Sequence, residues 1–261
     1  MFVSLAELEQ MVSSFLWPLF RIASFFMAIP IIGTQMVPMR VRLGLALVMT
    51  ALIVPVLPEM PSFSGLSVEA WLIIIQQILI GTILGFALNI LFQSFVTGAQ
   101  LIAMQSGLGF AMVTDPANGV SVVVVAQLYS MLSMLLFLAM NGHLVMIDIL
   151  AKSFYVLPVG FEGFSQEVYL KLVLSLSWLF MAALLMALPA VTALLIINFA
   201  FGIMTKAAPQ LNIFAIGFPF TMLVGLVMYW ANLPIFYDHY LRMTDFMLNF
   251  IRDLLPNASG V

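Results

Sequence analysis

The chain has 261 residues, of which 64% are hydrophobic and only 7% are charged, and its formal net charge is −3. A soluble domain carries about 25% charged residues, so this composition excludes an ordinary soluble protein and predicts an all-α membrane protein. The absence of cysteine and the presence of only two histidines exclude disulfides and the usual metal sites, and no basic block offers a nucleic-acid surface.

Six apolar segments are long enough to be membrane helices, which need about 20 apolar residues. They are residues 11–32, 41–57, 68–95, 120–140, 172–201 and 213–231. Pro18, Pro189 and Pro219 fall inside three of them and predict kinks. The third segment continues to Ser106 with no proline or other strong helix breaker. As one helix it would be ~60 Å long, about twice the hydrocarbon thickness. The basic residues are divided between the loops expected on the two sides of the membrane, so the positive-inside rule leaves the orientation open.

Arg21 is a charge near the middle of the first segment. A central arginine costs about 2.5–3.5 kcal/mol on insertion scales, so it needs a partner, backbone carbonyls or water. It could instead snorkel to an interface, but we favour a buried partner in this chain or another. The other spans carry amides such as Gln76, Gln77 and Asn198 rather than acids, which argues against ion coupling within this chain.

Small residues recur at helical spacing in two places. Gly81 and Gly85 form a G-x-x-x-G pair, and Gly217, Thr221 and Gly225 recur every four residues. Both patterns let helices approach closely. Packing within the chain and contact with another subunit both remain open as explanations.

The connection between the third and fourth segments, residues 107–119, combines glycines, turn signals and apolar side chains. Gly107 and Gly109 give backbone freedom at its start, and Asp115-Pro116 predicts a turn. Leu108, Phe110, Met112 and Val113 are apolar, so the segment should be buried or should block something. A buried connector is the alternative to a blocking segment.

The end of the chain, residues 235–255, has the pattern of an amphipathic helix. Asp238, Arg242 and Asp245 lie on one face, and Phe236 and Tyr240 begin the other. The pattern predicts either a helix lying on the membrane surface or a docking helix for a partner subunit.

The sequence lacks a nucleophile–base pair, a P-loop and a G-x-S-x-G motif. We therefore predict that the protein is not an enzyme and needs no cofactor. A secondary transporter of small solutes is a less favoured alternative, because paired broken helices in matching halves are not seen.

Four clusters of residues occur in a fixed order along the chain. They are Arg21 with Pro30, Pro38 and Arg40; Gly107, Gly109, Phe110, Ala111, Asp115 and Pro116; Asn141-Gly142-His143 with Ser153, Pro158 and Gly160; and Lys206, Ala207, Pro209, Gln210, Leu211 and Asn212, continuing to Gly217 and Pro219. Together they resemble the FliR family of flagellar biosynthetic export-gate proteins, which has counterparts in virulence type III secretion. The resemblance covers nearly the whole chain.

The resemblance implies one export-gate domain over residues 1–261. Residues 1–165 would be a FliP-like part with a plug loop at 107–119, residues 166–235 a FliQ-like helical hairpin, and residues 236–261 an amphipathic tail. The expected plug residues are Gly107, Leu108, Gly109, Phe110, Ala111, Met112, Val113, Asp115 and Pro116. Lys206, Pro209, Gln210 and Asn212 would contact a partner loop.

The resemblance also implies a place and partners. The protein would cross the bacterial inner membrane several times at the flagellar basal body. It would join FliP and FliQ in a channel for unfolded flagellar proteins, with FlhB and FlhA as further partners.

Overall fold

The computed structural model describes residues 5–30, 32, 37–61, 67–109, 123–208 and 213–255. In those ranges the regular structure is helical. The helices are α1 (Leu5–Ala28), α2 (Met39–Ile53), α3 (Val68–Gln105), α4 (Val124–Ala139), α5 (Gly142–Val156), α6 (Gln166–Ala207) and α7 (Ile213–Leu254), and a 3₁₀ turn at Val54–Val56 follows α2. Five helices are long and apolar enough to cross a membrane, and α4 with α5 qualifies as one bent pair. This confirms the prediction of an all-α membrane protein with about six long apolar helices.

The break between α4 and α5 has a local cause. Asn141 adopts the left-handed conformation with φ 59°, which asparagine tolerates better than most residues. A Cβ on the next residue, Gly142, would lie 2.5 Å from the Phe137 ring, so the chain can turn this tightly only because position 142 has no side chain.

The last two helices are longer than the sequence suggested. We expected spans at 172–201 and 213–231, followed by a separate tail, whereas α6 and α7 each contain 42 residues. Glu167 pairs with Lys171 at 2.9 Å in the first turns of α6, so these charged residues extend the helix rather than precede it. α7 runs through Pro234, which removes only one backbone donor, and the amphipathic tail is its continuation.

The chain divides into two units, and α3, α6 and α7 each contribute residues to both. The first unit contains residues 1–90, 137–175 and 246–261; the second contains residues 91–136 and 176–245. In the first unit α1 packs against α2, and Trp17, Ile22 and Phe25 of α1 are buried. The interior of the second unit is built around the aromatic residues Phe95, Tyr129, Tyr229, Phe236 and Tyr240.

The apolar face of the tail is covered by the chain itself. Phe236, Tyr240 and Met243 are buried in the second unit, and Met247 and Ile251 are buried in the first. The polar residues of the other face, from Asp238 to Asp253, are exposed. The apolar face of the tail is therefore not available to a membrane surface, whereas docking of a partner on the exposed face stays a prediction.

Candidate functional site

Arg21 is completely buried in the first unit, with 0% of its surface exposed. Its Nε donates to Gln77 Oε1 at 2.8 Å, its Nη1 to the Ser153 carbonyl at 2.8 Å, and its Nη2 to the Leu157 carbonyl at 2.9 Å. α1 thus supplies the donor, α3 supplies an amide, and the end of α5 supplies carbonyls. We call Arg21, Gln77, Ser153, Phe154 and Leu157 the arginine cluster.

The cluster balances the charge of Arg21 with dipoles. The carbonyls at the C-terminal end of a helix carry partial negative charge, and Ser153 and Leu157 lie at the end of α5. The Ser153 carbonyl also accepts a hydrogen bond from the Leu157 N–H at 2.9 Å. The Ser153 hydroxyl accepts a further bond from Nη1 at 3.1 Å and donates to the Leu150 carbonyl at 2.6 Å. The Phe154 ring centroid lies 4.1 Å from the guanidinium carbon. No carboxylate pairs with Arg21 among the residues that the structure describes.

The acceptors of Arg21 could not be identified from the sequence. Backbone carbonyls leave no trace in a sequence, and Ser153 and Leu157 lie 132 and 136 residues away from Arg21. Gln77 was visible only as one of several amides in the spans. Its Nε2 has no hydrogen-bond partner within the described structure, because Arg21 requires the amide oxygen to face the guanidinium.

The Gly81 and Gly85 pair brings α3 against α1 at the arginine cluster. A Cβ on Gly81 would collide with the Arg21 carbonyl oxygen and with Ser24 Oγ. A Cβ on Gly85 would lie 2.7 Å from Ala28 Cβ and 2.8 Å from the Phe25 carbonyl oxygen. The two glycines therefore serve packing within this chain.

The second small-residue pattern faces the end of α3 in the second unit. A Cβ on Gly225 would collide with Ser106 Cβ and lie 3.0 Å from Ser106 Oγ. Thr221 and Gly217, one and two turns earlier in α7, line a cavity of about 640 Å³. Of this pattern, Gly225 therefore packs closely within the chain, whereas Gly217 and Thr221 border the cavity.

The cavity lies where α3 and α6 end and α7 begins. It is lined by Met104, Gln105, Gly107, Asn198, Phe201, Gly202, Thr205, Gly217, Phe218 and Thr221. The Asn198 side chain donates to the Gln105 carbonyl at 3.2 Å and joins α6 to α3 there. Of these residues, only Gly107, Gly217 and Thr221 were predicted as site residues.

Gly107 ends α3 at the rim of this cavity. Its φ of +83° is a left-handed conformation typical of glycine after a helix, and its N–H donates to the Met104 carbonyl at 3.3 Å. A Cβ there would lie 2.9 Å from the Phe218 ring. Leu108 and Gly109 follow and are partly exposed.

The remaining predicted plug and loop residues fall mostly outside the described residues. These are Phe110, Ala111, Met112, Val113, Asp115, Pro116, Pro209, Gln210 and Asn212. Lys206 is exposed in the last turn of α6, next to Thr205 of the cavity wall. Within the described ranges, no group of three or more acidic, histidine or cysteine side chains is placed to bind a metal ion.

Comparison with known proteins identifies the family of the chain. The family model of the bacterial export proteins, family 1, matches residues 12–247. The flagellar biosynthetic protein FliR of Escherichia coli K12 is 39% identical over 243 residues, which is 92% of each chain. The protein of the same name from Pectobacterium carotovorum is 37% identical over 97% of each chain, and that of Bacillus subtilis is 28% identical over 218 residues, 82% of this chain and 84% of its own. The match of the family model over most of the sequence shows that this chain belongs to family 1 of the bacterial export proteins.

Proposed function

We propose that the chain is a non-enzymatic subunit of the flagellar type III protein export gate. It would form, with FliP and FliQ, a channel that carries unfolded flagellar proteins across the bacterial inner membrane during flagellum assembly. FlhB and FlhA are the further partners that this role implies. Support comes from the relatives, which are named flagellar biosynthetic proteins, and from the exposed apolar surface of the long helices.

The length of the exposed apolar surface is the observation that carries the proposal. α6 and α7 have 42 residues each, or about 63 Å at 1.5 Å per residue, whereas the hydrocarbon core is about 30 Å thick. Apolar side chains are exposed along α6 from Leu170, 59% exposed, to Ile203, 55% exposed. Lipid can cover only about half of a helix of this length, so other protein chains must cover the rest.

Co-expression tests the proposed assembly. The chain, produced with FliP and FliQ, should purify as one stable complex in native mass spectrometry. Produced alone, it should aggregate or be degraded, because its apolar surface beyond the bilayer stays uncovered. A monodisperse, protease-resistant monomer in nanodiscs would contradict the proposal. Restoration of motility in a flagellated strain that lacks its own FliR would separate a flagellar from a virulence-type gate.

The loop between α6 and α7 is the proposed contact with a partner. The chain has no cysteine, so a cysteine introduced at Lys206 or Asn212 is unique. Each should cross-link to a cysteine in a loop of another gate subunit. Lys152→Cys, placed on the partly exposed side chain that pairs with Asp148 in the first unit, is the matched control. An intact complex without any cross-link from positions 206 and 212 would oppose the contact.

Residues 107–119 are the proposed plug. An apolar constriction can block small ions by excluding water, and Leu108, Phe110, Met112 and Val113 would supply it. The proposed plug would begin at Gly107, which follows α3 in a left-handed conformation. Deletion of residues 109–113 should leave the complex assembled but leaky to small ions in single-channel recordings. A deletion complex as tight as the wild type would assign the seal to another segment.

A further inference from the structure

The donor and the acceptors of the arginine cluster are far apart in the sequence. Arg21 lies in the first helix, Gln77 follows 56 residues later, and the carbonyls of Ser153 and Leu157 follow after 132 and 136 residues. While the chain is being synthesised, α1 therefore emerges long before the groups that bind its charge. This order matters because a guanidinium in the middle of a span is strongly unfavourable in lipid until it is bonded.

α1 is also weakly apolar for a membrane helix. The mean hydropathy of its residues Glu9–Ala28 is 1.4, the lowest of the five candidate spans in the described chain; the values are 1.5 for Ala215–Leu254 of α7, 1.8 for Met39–Val56, 2.1 for α3 and 2.5 for α6. Its buried residues, including Trp17, Ile22 and Phe25, have their packing partners elsewhere in the first unit. The packing of α1 also depends on Gly81, because α3 can approach the Arg21 backbone only at a residue without a side chain.

We propose that α1 is a conditional membrane helix, retained in the membrane by the arginine cluster rather than by its own hydropathy. Gln77 gives Arg21 its first acceptor, and the end of α5 gives the last ones. Before Leu157 is available, α1 stays exposed to water or is held by the membrane-insertion machinery. This inference does not depend on the export role, and its test does not require export.

The full-length chain, which has no cysteine of its own, allows a direct test. Ala23→Cys places one thiol on α1 at a half-buried position two residues from Arg21. The fraction of chains that a membrane-impermeant maleimide labels in cells reports how much α1 is in contact with water. In this background, Gln77→Leu should raise the labelled fraction about tenfold, the effect of losing one hydrogen bond to a charged group.

The neighbouring amide provides a matched control. Gln76 donates to the Phe161 carbonyl at 2.5 Å, and none of its hydrogen bonds involves Arg21. Gln76→Leu should therefore leave the labelled fraction unchanged. Ser153→Ala removes the hydroxyl acceptor and keeps the carbonyl, so its effect should lie between those of Gln76→Leu and Gln77→Leu.

Removing the charge should suppress the defect. With Arg21→Leu, α1 no longer needs acceptors, so position 23 should be protected in both the Gln77 and the Gln77→Leu chains. In pulse-chase labelling, protection should appear earlier with Arg21→Leu than with Arg21. The proposal is overturned if Gln76→Leu and Gln77→Leu label equally, if Arg21→Leu does not suppress the Gln77→Leu effect, or if Arg21 and Arg21→Leu chains become protected at the same time.

Discussion

The two units of the protein use opposite means to define their interiors. The first unit buries the charge of Arg21, which donates four hydrogen bonds to three residues: Gln77 of α3, Ser153 of α5 and Leu157, the residue after α5. The second unit buries an uncharged aromatic cluster, in which Phe236 lies 5.0 Å from Tyr129 and 5.4 Å from Phe95, both edge to face. Directional bonds tolerate little displacement, whereas aromatic packing can adjust. We therefore expect the first unit to be the less tolerant of substitution.

In the second unit, by contrast, buried polar atoms are only partly hydrogen-bonded. Tyr229 donates to the Ala99 carbonyl at 2.7 Å, while the Tyr129 hydroxyl is buried without a hydrogen-bond partner in the described part of the chain. An unsatisfied hydroxyl costs stability that the surrounding ring contacts must offset. Ring packing, rather than polar complementarity, thus determines this interior.

Among the variants that should still assemble, the largest effect is expected at Gly81. Gly81→Val places side-chain atoms onto the Arg21 carbonyl and Ser24 Oγ, so α1 and α3 must separate and the arginine cluster must open. Overpacking against backbone should cost about 3 kcal/mol, the upper part of the usual range. The measurement is thermal unfolding of the purified complex by fluorescence-detected size exclusion.

Gly44→Ala in α2 is the control for that substitution. No atom lies within 4 Å of a Cβ at position 44, so the change should be neutral or slightly stabilising. If Gly81→Val unfolds at the same temperature as Gly44→Ala, the close approach of α1 and α3 is not required.

A smaller loss is expected for Arg21→Lys. An ammonium group keeps the charge but cannot direct donors at Gln77, Ser153 and Leu157 at once, because it lacks the planar fork of a guanidinium. The loss of one charged hydrogen bond should lower stability by about 2 kcal/mol. Arg21→Glu sets a carboxylate against carbonyl oxygens and should give no assembled complex. Normal assembly of Arg21→Glu would show that the hydrogen bonds of the arginine cluster are not required.

Gly225→Ala tests close packing in the second unit. Its new methyl group collides with Ser106, the residue that follows α3. The cost should be about 1–2 kcal/mol, because part of the overpacking is offset by the better helix propensity of alanine. Gly202→Ala, where no atom lies within 4 Å, is the control in the same unit. Equal unfolding temperatures for the two variants would show that α7 can shift freely against α3.

The sequence predicted what depends on composition and missed what depends on distant backbone. Hydropathy and spacing predicted the apolar segments, the need of Arg21 for a buried partner and the small-residue patterns. The continuity of α7 through Pro234 was missed, because the apolar segment 213–231 and the amphipathic pattern 235–255 were recognised as separate elements. The acceptors of Arg21 were missed because they are carbonyls, and the cavity was missed because it needs three helix ends to meet.

The smallest effect distinguishes two tyrosines of the second unit that share one aromatic contact. Their ring centroids lie 5.7 Å apart, so a phenylalanine at either position keeps the ring packing and removes only a hydroxyl. Tyr229→Phe leaves the Ala99 carbonyl without its side-chain donor and should cost about 1 kcal/mol. Tyr129→Phe removes a hydroxyl that has no partner in the described structure and should be neutral or stabilising. The unfolding temperature of Tyr129→Phe should therefore be the higher of the two. If Tyr129→Phe is instead the more damaging, a polar group or water satisfies its hydroxyl, and the second unit is as dependent on directional bonds as the first.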